Sequence, residues 1–478
     1  MSASELARAI RAGQVSAVDA VSEQLARIER FNGALNAVVT LDAEAARRRA
    51  RDADRALEAG EVWGPLHGVP ITVKDSFDTA GLRTVSGHAS FSRRVPLDDA
   101  AAVSRLRNAG AIVVGKTNLP ELASGVQTNN TVFGRTSNPW NLDCTPGGSS
   151  GGSAAAIAAG MSFLDLGSDI GGSIRIPAHF CGVYGLKATA GRILGKGHVA
   201  SARPLSLPSG WEALLELASF GPIARSIDDL ELGLSVLSEP GAADPAPQND
   251  RSTSELKIAW AEDFGGTPLD ADSRRVLADL VERLARAGAL VSRRENAHFD
   301  FVDAWRVSGV CLGAINTLFQ SPARRWGRRL LSPILRRLGP RHALQQGLFA
   351  GMSLDGARVR EALDRRGRIV DDLEAFLGEW DAWICPVFPT AAFSHRAMTD
   401  PIDVDGRAMS QLEANLLHSV VFNLTGHPVV TLPVGSSSSG LPIGVQLVGR
   451  RGQERALLRV AKQVGSVTGG YRVPPGYE

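Results

Sequence analysis

Thr145-Pro146-Gly147-Gly148-Ser149-Ser150-Gly151-Gly152-Ser153 opens the stretch that decides the fold, and Gly167-Ser168-Asp169-Ile170-Gly171-Gly172-Ser173-Ile174-Arg175-Ile176-Pro177 closes it. An alanine-rich run to Gly160 and a short apolar segment lie between them. Two glycine-lined serine clusters therefore stand about one helix apart. Paired glycines lack Cβ atoms, so the backbone can take dihedrals and close approaches denied to other residues. Successive N–H groups in such a loop can converge on one anion. A serine inside it is then well placed to attack a carbonyl whose oxyanion those groups hold. The plainer reading is two flexible turns around a helix. The repetition of the cluster and its Ser-Ile-Arg-Ile-Pro ending weigh against that.

Upstream, Gly64-Pro65-Leu66-His67-Gly68-Val69-Pro70 is a turn-rich approach to Ile71-Thr72-Val73-Lys74, a short β-branched strand ending on lysine. Burial penalises the charged amine, so the pKa of such a lysine falls and a neutral amine can act as a general base. A lysine that snorkels to the surface is the bland alternative. Lys116 repeats the pattern after Ala111-Ile112-Val113-Val114-Gly115. Strand physics alone does not rank the two. Lysine is scarce in this chain, with six residues in all, while most of the basic charge is arginine. Residues 98–114 read as helix then strand. The alternation across 60–180 implies an α/β fold with a largely parallel sheet.

The run Gly147–Pro177 resembles the signature of the amidase signature family of serine hydrolases, and the likeness extends from the N-terminus to about residue 240 and again from about 380 to 465. The resemblance implies an α/β/α sandwich, with a large mixed, mostly parallel twisted sheet covered by helices on both faces. It implies catalysis by Ser173 as nucleophile, Ser149 on a cis peptide bond and Lys74 as base, since Val-Pro-Ile-Thr-Val-Lys-Asp matches the segment carrying the family's lysine. Gly115-Lys116-Thr117-Asn118 matches a scaffold segment instead. The backbone N–H groups of Ile170, Gly171, Gly172 and Ser173 are expected to hold the oxyanion. Asp169 and Arg175 are read as scaffold that shapes the loop. Ala123, Ser124 and Gly125 fall where the family lines its substrate channel. Ala188 departs from the family, which more often has proline there; the change touches a turn.

Composition bounds the rest. The chain has 478 residues, 44% hydrophobic and 21% charged, ample for a large core. A net charge of +2 gives no field directed at nucleic acid. Four widely spaced cysteines form no Cys-x-x-Cys, and no secretory leader is visible, so reduced thiols in a cytoplasm are expected. Cys311 lies in an apolar stretch and reads as core, with a role lining the substrate pocket as the alternative. No apolar run reaches the roughly 20 residues a membrane span needs. The histidines form no metal motif and the glycine loops no nucleotide phosphate loop, so neither a metal nor a cofactor is expected.

The chain reads as one domain over 1–478. Residues 1–60 are a helical segment broken at Asn32-Gly33, 61–235 the catalytic core, 255–375 a helical, variable region on the substrate side, and 376–478 strands and a helix completing the sheet. Residues 240–254, rich in Pro, Ala and Asp, read as a linker or exposed loop. Ser226 is the expected N-cap of a helix and Gly288 the stop of the helix over 271–287. Residues 321–342 alternate arginines with apolar pairs and read as a solvated helix packed on the core, ahead of a subunit interface or pocket lid and, last, an interfacial membrane helix, which Gly327 and Pro333 would interrupt. Phe422–Val434 reads as a loop followed by a strand, and residues 436–440 as a tight turn.

The expected function is hydrolysis of a small-molecule amide C–N bond through an acyl-enzyme; the expected enzyme is cytoplasmic, and a homodimer is the oligomer considered. Three rival readings compete. An α/β-hydrolase would use Gly147-Gly148-Ser149-Ser150-Gly151 as a nucleophile elbow with His418 or His427 as base. A penicillin-recognising enzyme would use Ser254-Glu255-Leu256-Lys257. The amidase subunit of a tRNA-dependent amidotransferase shares the signature but works with partner subunits on glutamine.

Overall fold

A computed structural model describes residues 1–199, 207–239, 241, 252–295, 297–320, 327 and 342–478. The arginine-rich 321–342 segment, apart from its residues 327 and 342, lies outside the described residues, as does most of the linker expected over 240–254.

One eleven-stranded sheet organises the chain. Its strands are β1 (Val38–Leu41), β2 (Pro70–Lys74), β3 (Ile112–Thr117), β4 (Leu164–Asp169), β5 (Tyr184–Lys187), β6 (Ser219–Ala224), β7 (Lys257–Trp260), β8 (Leu290–Arg293), β9 (Ala382–Pro386), β10 (Val429–Ser436) and β11 (Pro442–Val448). Their spatial order is β1-β3-β2-β4-β6-β5-β10-β11-β9-β7-β8. The sheet is mixed. Parallel pairing runs through β3-β2-β4 on one flank and β9-β7-β8 on the other. The strands between, and the edge strand β1, pair antiparallel. The parallel flanks are where helices such as Ala101–Asn108 and Ala271–Arg286 return the chain between neighbouring strands, as parallel pairing requires. The antiparallel centre contains the β10–β11 hairpin, closed by a turn at 437–441.

Helices cover the sheet, and their ends follow the sequence signals. Ser226 caps Ile227–Leu237 by accepting from Asp229 N. Gly288 follows Ala271–Arg286 with φ of +91°. Two expectations are corrected. The helix Ala17–Leu35 runs through Asn32-Gly33 and ends at Asn36, which is left-handed. Asn32 does not break it because its Oδ1 accepts from Ala37 and Val38 N, tying down the chain beyond the helix end. The stretch opening Phe422–Val434 is not loop throughout: Val420–Leu424 is a short helix, fully buried. Inside it Asn423 bonds to residues far away in sequence, so no local signal marks the turn.

Candidate active site

Parallel pairing sets the carboxyl ends of β2, β3 and β4 side by side. Lys74 pairs with Thr117, and Val73 with Leu166 just before Ser168 and Asp169. Ligands bind beyond the carboxyl ends of strands in open α/β sheets, and the two glycine-serine clusters meet there. The first runs into the start of the helix Gly151–Ala158; the second joins the end of β4 to the helix Arg175–Cys181.

Lys74 is fully buried. Its Nζ lies 2.7 Å from Ser149 Oγ and 2.9 Å from both Ser150 Oγ and Ser168 Oγ. The Gly148–Ser149 peptide is cis, as the resemblance implies. Desolvation pushes the Lys74 amine down to about 7, against the opposing pull of Asp169 and Asp165. A group so poised is largely neutral at mildly alkaline pH and can take a proton. Ser173 is half-buried, and its carbonyl accepts from Ser150 N at 3.0 Å. The structure thus joins Lys74 to Ser149 directly and ties Ser173 to the residue beside it.

The other lysines separate cleanly. Lys116 Nζ donates to the Phe77 carbonyl and, at 2.7 Å, to Thr79 Oγ1. It reaches none of the three serines, and burial lowers its amine to about 8. Lys187 carries no sequence signal of its own. It too is buried, donates to the His427 carbonyl at 2.7 Å, and is pushed to about 7 by desolvation.

Asp169 shapes the second cluster. Its Oδ1 accepts from Gly172 N and its Oδ2 from Ile174 N, both at 2.9 Å. The Gly172 N–H is therefore committed to the carboxylate, which leaves Ile170, Gly171 and Ser173 of the four expected oxyanion donors. Arg175 pairs with Asp169 at 2.8 Å, both side chains fully buried. Burial raises the Asp169 carboxyl, but Arg175 and the loop N–H groups more than offset this and hold it well below its ordinary value. Asn423 Nδ2 donates to the Asp169 carbonyl and Oδ1 at 3.0 Å each, and Gln446 Oε1 accepts from Arg175 at 3.0 Å. The short helix Val420–Leu424 and the strand β11 thus clamp the loop. Asp165 sits behind Lys74, bonded by Thr72 at 2.6 Å and Thr117 at 3.1 Å, and burial lifts it to about 6.

The substrate-side candidates fall in two elements, the 121–125 turn and the helix Phe301–Leu318. Ala123 ends the 3-10 turn Glu121–Ala123, followed by Ser124 and Gly125. The Gly125 carbonyl abuts the cis peptide so closely that a Cβ on Gly148 would fall 2.5 Å from it. Cys311 is inside the helix Phe301–Leu318, fully buried in the hydrophobic core, and its thiol is pushed up to about 12 by desolvation.

The rival sites do not assemble. Residues 145–148 are irregular rather than a strand, so no strand–turn–helix elbow forms at Ser149. His418 stacks on Phe264 and His427 faces Glu374. Ser254 and Lys257 are exposed.

Known proteins resemble this chain over nearly its whole length. The profile of the Amidase family matches residues 19–458. The A subunit of the glutamyl-tRNA(Gln) amidotransferase of Geotalea daltonii is 33% identical, over 96% of this chain and 95% of the relative. A solved amidase structure superposes with a TM-score of 0.78 at 30% identity, covering 98% of this chain and 99% of that one. The 6-aminohexanoate cyclic dimer hydrolase with bound substrate gives 0.76 at 29% identity, covering 100% and 99%. Among the described residues, no helix is long and apolar enough to cross a membrane.

Proposed function

This chain belongs to the amidase family, and from that premise we propose that it hydrolyses small-molecule amides with Ser173 as nucleophile, Ser149 as relay and Lys74 as base. Neutral Lys74 accepts the proton of Ser149, which accepts that of Ser173. Ser173 Oγ bonds to the carbonyl carbon, and the N–H groups of Ile170, Gly171 and Ser173 hold the oxyanion. Removing one such donor commonly costs about 3–4 kcal/mol of transition-state stabilisation. The C–N bond breaks as the relay returns its proton to the leaving nitrogen. Water then attacks the ester, gives up a proton to the same relay, and releases the acid.

One observation carries the reading: the Lys74 amine, fully buried, touches Ser149 Oγ at 2.7 Å with its pKa lowered to about 7. A serine hydroxyl needs such a base to react, and Lys74 is the only residue hydrogen-bonded to the Ser149 hydroxyl among the described residues. The proposed residues all come from one chain, so the chemistry needs no partner, although a homodimer is compatible with it. Four buried, unpaired cysteines suit a cytoplasmic setting.

The relatives that are A subunits of glutamyl-tRNA(Gln) amidotransferases favour a second reading, an amidase component that feeds ammonia from glutamine to partner subunits. Purified chain alone separates the two. Labelling of Ser173 by a fluorophosphonate and turnover of simple amides support the first reading. Glutamine turnover that depends on added subunits would replace it with the second.

A further inference from the structure

Gly171 and Gly172 are glycines for different reasons. Gly172 has φ of +99°, where other residues are strained. At Gly171 the constraint is contact: a Cβ there would lie 2.4 Å from Leu416 Cδ2, and, its chain neighbours aside, no other described residue comes within 4 Å. A leucine methyl therefore rests directly on the loop proposed to hold the oxyanion.

Leu416 is the last residue of the helix Gln411–Leu416 and is 8% exposed. Leu412, four residues earlier, shares its face and is 41% exposed. The helix is pinned at its start, where Gln411 accepts from Gln127 at 2.9 Å and donates to the Ala397 carbonyl at 2.6 Å. Met398, 57% exposed, stands beside Gly125, whose carbonyl backs Gly148. Apolar side chains thus stand on the reacting loop, at Leu416, and at the surface, at Leu412 and Met398, while Ser419 Oγ flanks Gly172. The acid on this helix, Glu413, turns to Ser410 at 2.7 Å and Gln345 at 3.2 Å.

We propose that Leu416 is a specificity-determining residue, forming the wall against which the acyl substituent lies, and that the substrates are amides of apolar carboxylic acids whose chains extend past Leu412 and Met398. The inference rests on the amidase reading above. Leu416 occupies the side of the loop toward which a Gly171 side chain would point, and in this proposal the substituent of a carbonyl held by the N–H groups at 170, 171 and 173 passes its methyl. An amino-acid acyl group would have to strip water from its charges against leucine, which is unfavourable.

The test is a series of acyl p-nitroanilides from acetyl to octanoyl. Wild type is expected to show kcat/KM rising with chain length, by about 10-fold or more from acetyl to octanoyl, the scale on which apolar pockets discriminate methylenes. Leu416→Ala lowers the octanoyl-to-acetyl ratio by about 10-fold, and Leu416→Met preserves it. Leu412→Gln, at an exposed position, lowers the ratio without disturbing the core. A flat wild-type series, a ratio unchanged in both Leu416→Ala and Leu412→Gln, or a preference for glutamine over every anilide overturns the proposal. Failure of the amidase reading looks different: no anilide is turned over and no probe labels Ser173, which ends both claims.

Discussion

Replacing Lys74 with methionine is expected to abolish hydrolysis and yet stabilise the protein in mildly acidic solution. The Lys74 amine falls from 10.5 to about 7 on folding. At about 1.36 kcal/mol per unit, holding it charged in the folded state costs about 5 kcal/mol. Below pH 7 both folded and unfolded lysine are protonated, so the whole cost applies. Between 7 and 10.5 the unfolded chain binds the extra proton, so stability rises with pH and the cost fades. Methionine removes this cost at a similar volume. It also removes bonds to Ser149, Ser150 and Ser168, at about 1 kcal/mol each. The variant should exceed wild type by about 2 kcal/mol at pH 6, and the difference should fall by roughly 2–3 kcal/mol by pH 9. Urea unfolding followed by tryptophan fluorescence at pH 6, 7.5 and 9 measures it. A wild-type-to-variant difference that does not change with pH would refute the reasoning, because Lys74 would then hold the same charge folded and unfolded.

Other substitutions follow from the same geometry. Ser149→Ala interrupts the proton path and should lower kcat by about 10²–10⁴-fold, while far-ultraviolet circular dichroism stays unchanged. Arg175→Met strands the buried Asp169 carboxylate and should cost about 3–5 kcal/mol in denaturant unfolding; the deficit shrinks as acid protonates Asp169. Gly152→Ala would put a Cβ 2.4 Å from the backbone nitrogen of Asn118. Backbone cannot swing aside as a side chain can, so melting should drop by the equivalent of about 1–3 kcal/mol. His418→Phe keeps the stack on Phe264 and should retain turnover, whereas a histidine-based hydrolase would lose it.

The two glycine-serine clusters were legible because their function needs backbone freedom, which only a distinctive glycine pattern supplies. The β-branched run before Lys74 marked a buried strand, but Lys116 carried the same mark, and resemblance rather than periodicity separated them. What separates them physically is the set of partners: serines for Lys74, the Phe77 carbonyl and Thr79 for Lys116. Asn423 was invisible because its bonds to Asp169 span 254 residues. Leu416 was hidden likewise, since a six-residue helix among loops gives no period to read. The Asn32-Gly33 pair misled because a breaker dipeptide can lie inside a helix when its side chain serves the chain beyond.

The central claim is that the Ser173 hydroxyl is activated by an uncharged amine at position 74. The rate of Ser173 modification by a fluorophosphonate, followed against pH with the site located by peptide mass spectrometry, tests it most directly. The expected rate climbs with pH through about 7, levels off above it, and becomes slow and flat in Lys74→Met. A wild-type rate that stays constant from pH 6 to 9, or modification at a different serine, would contradict it.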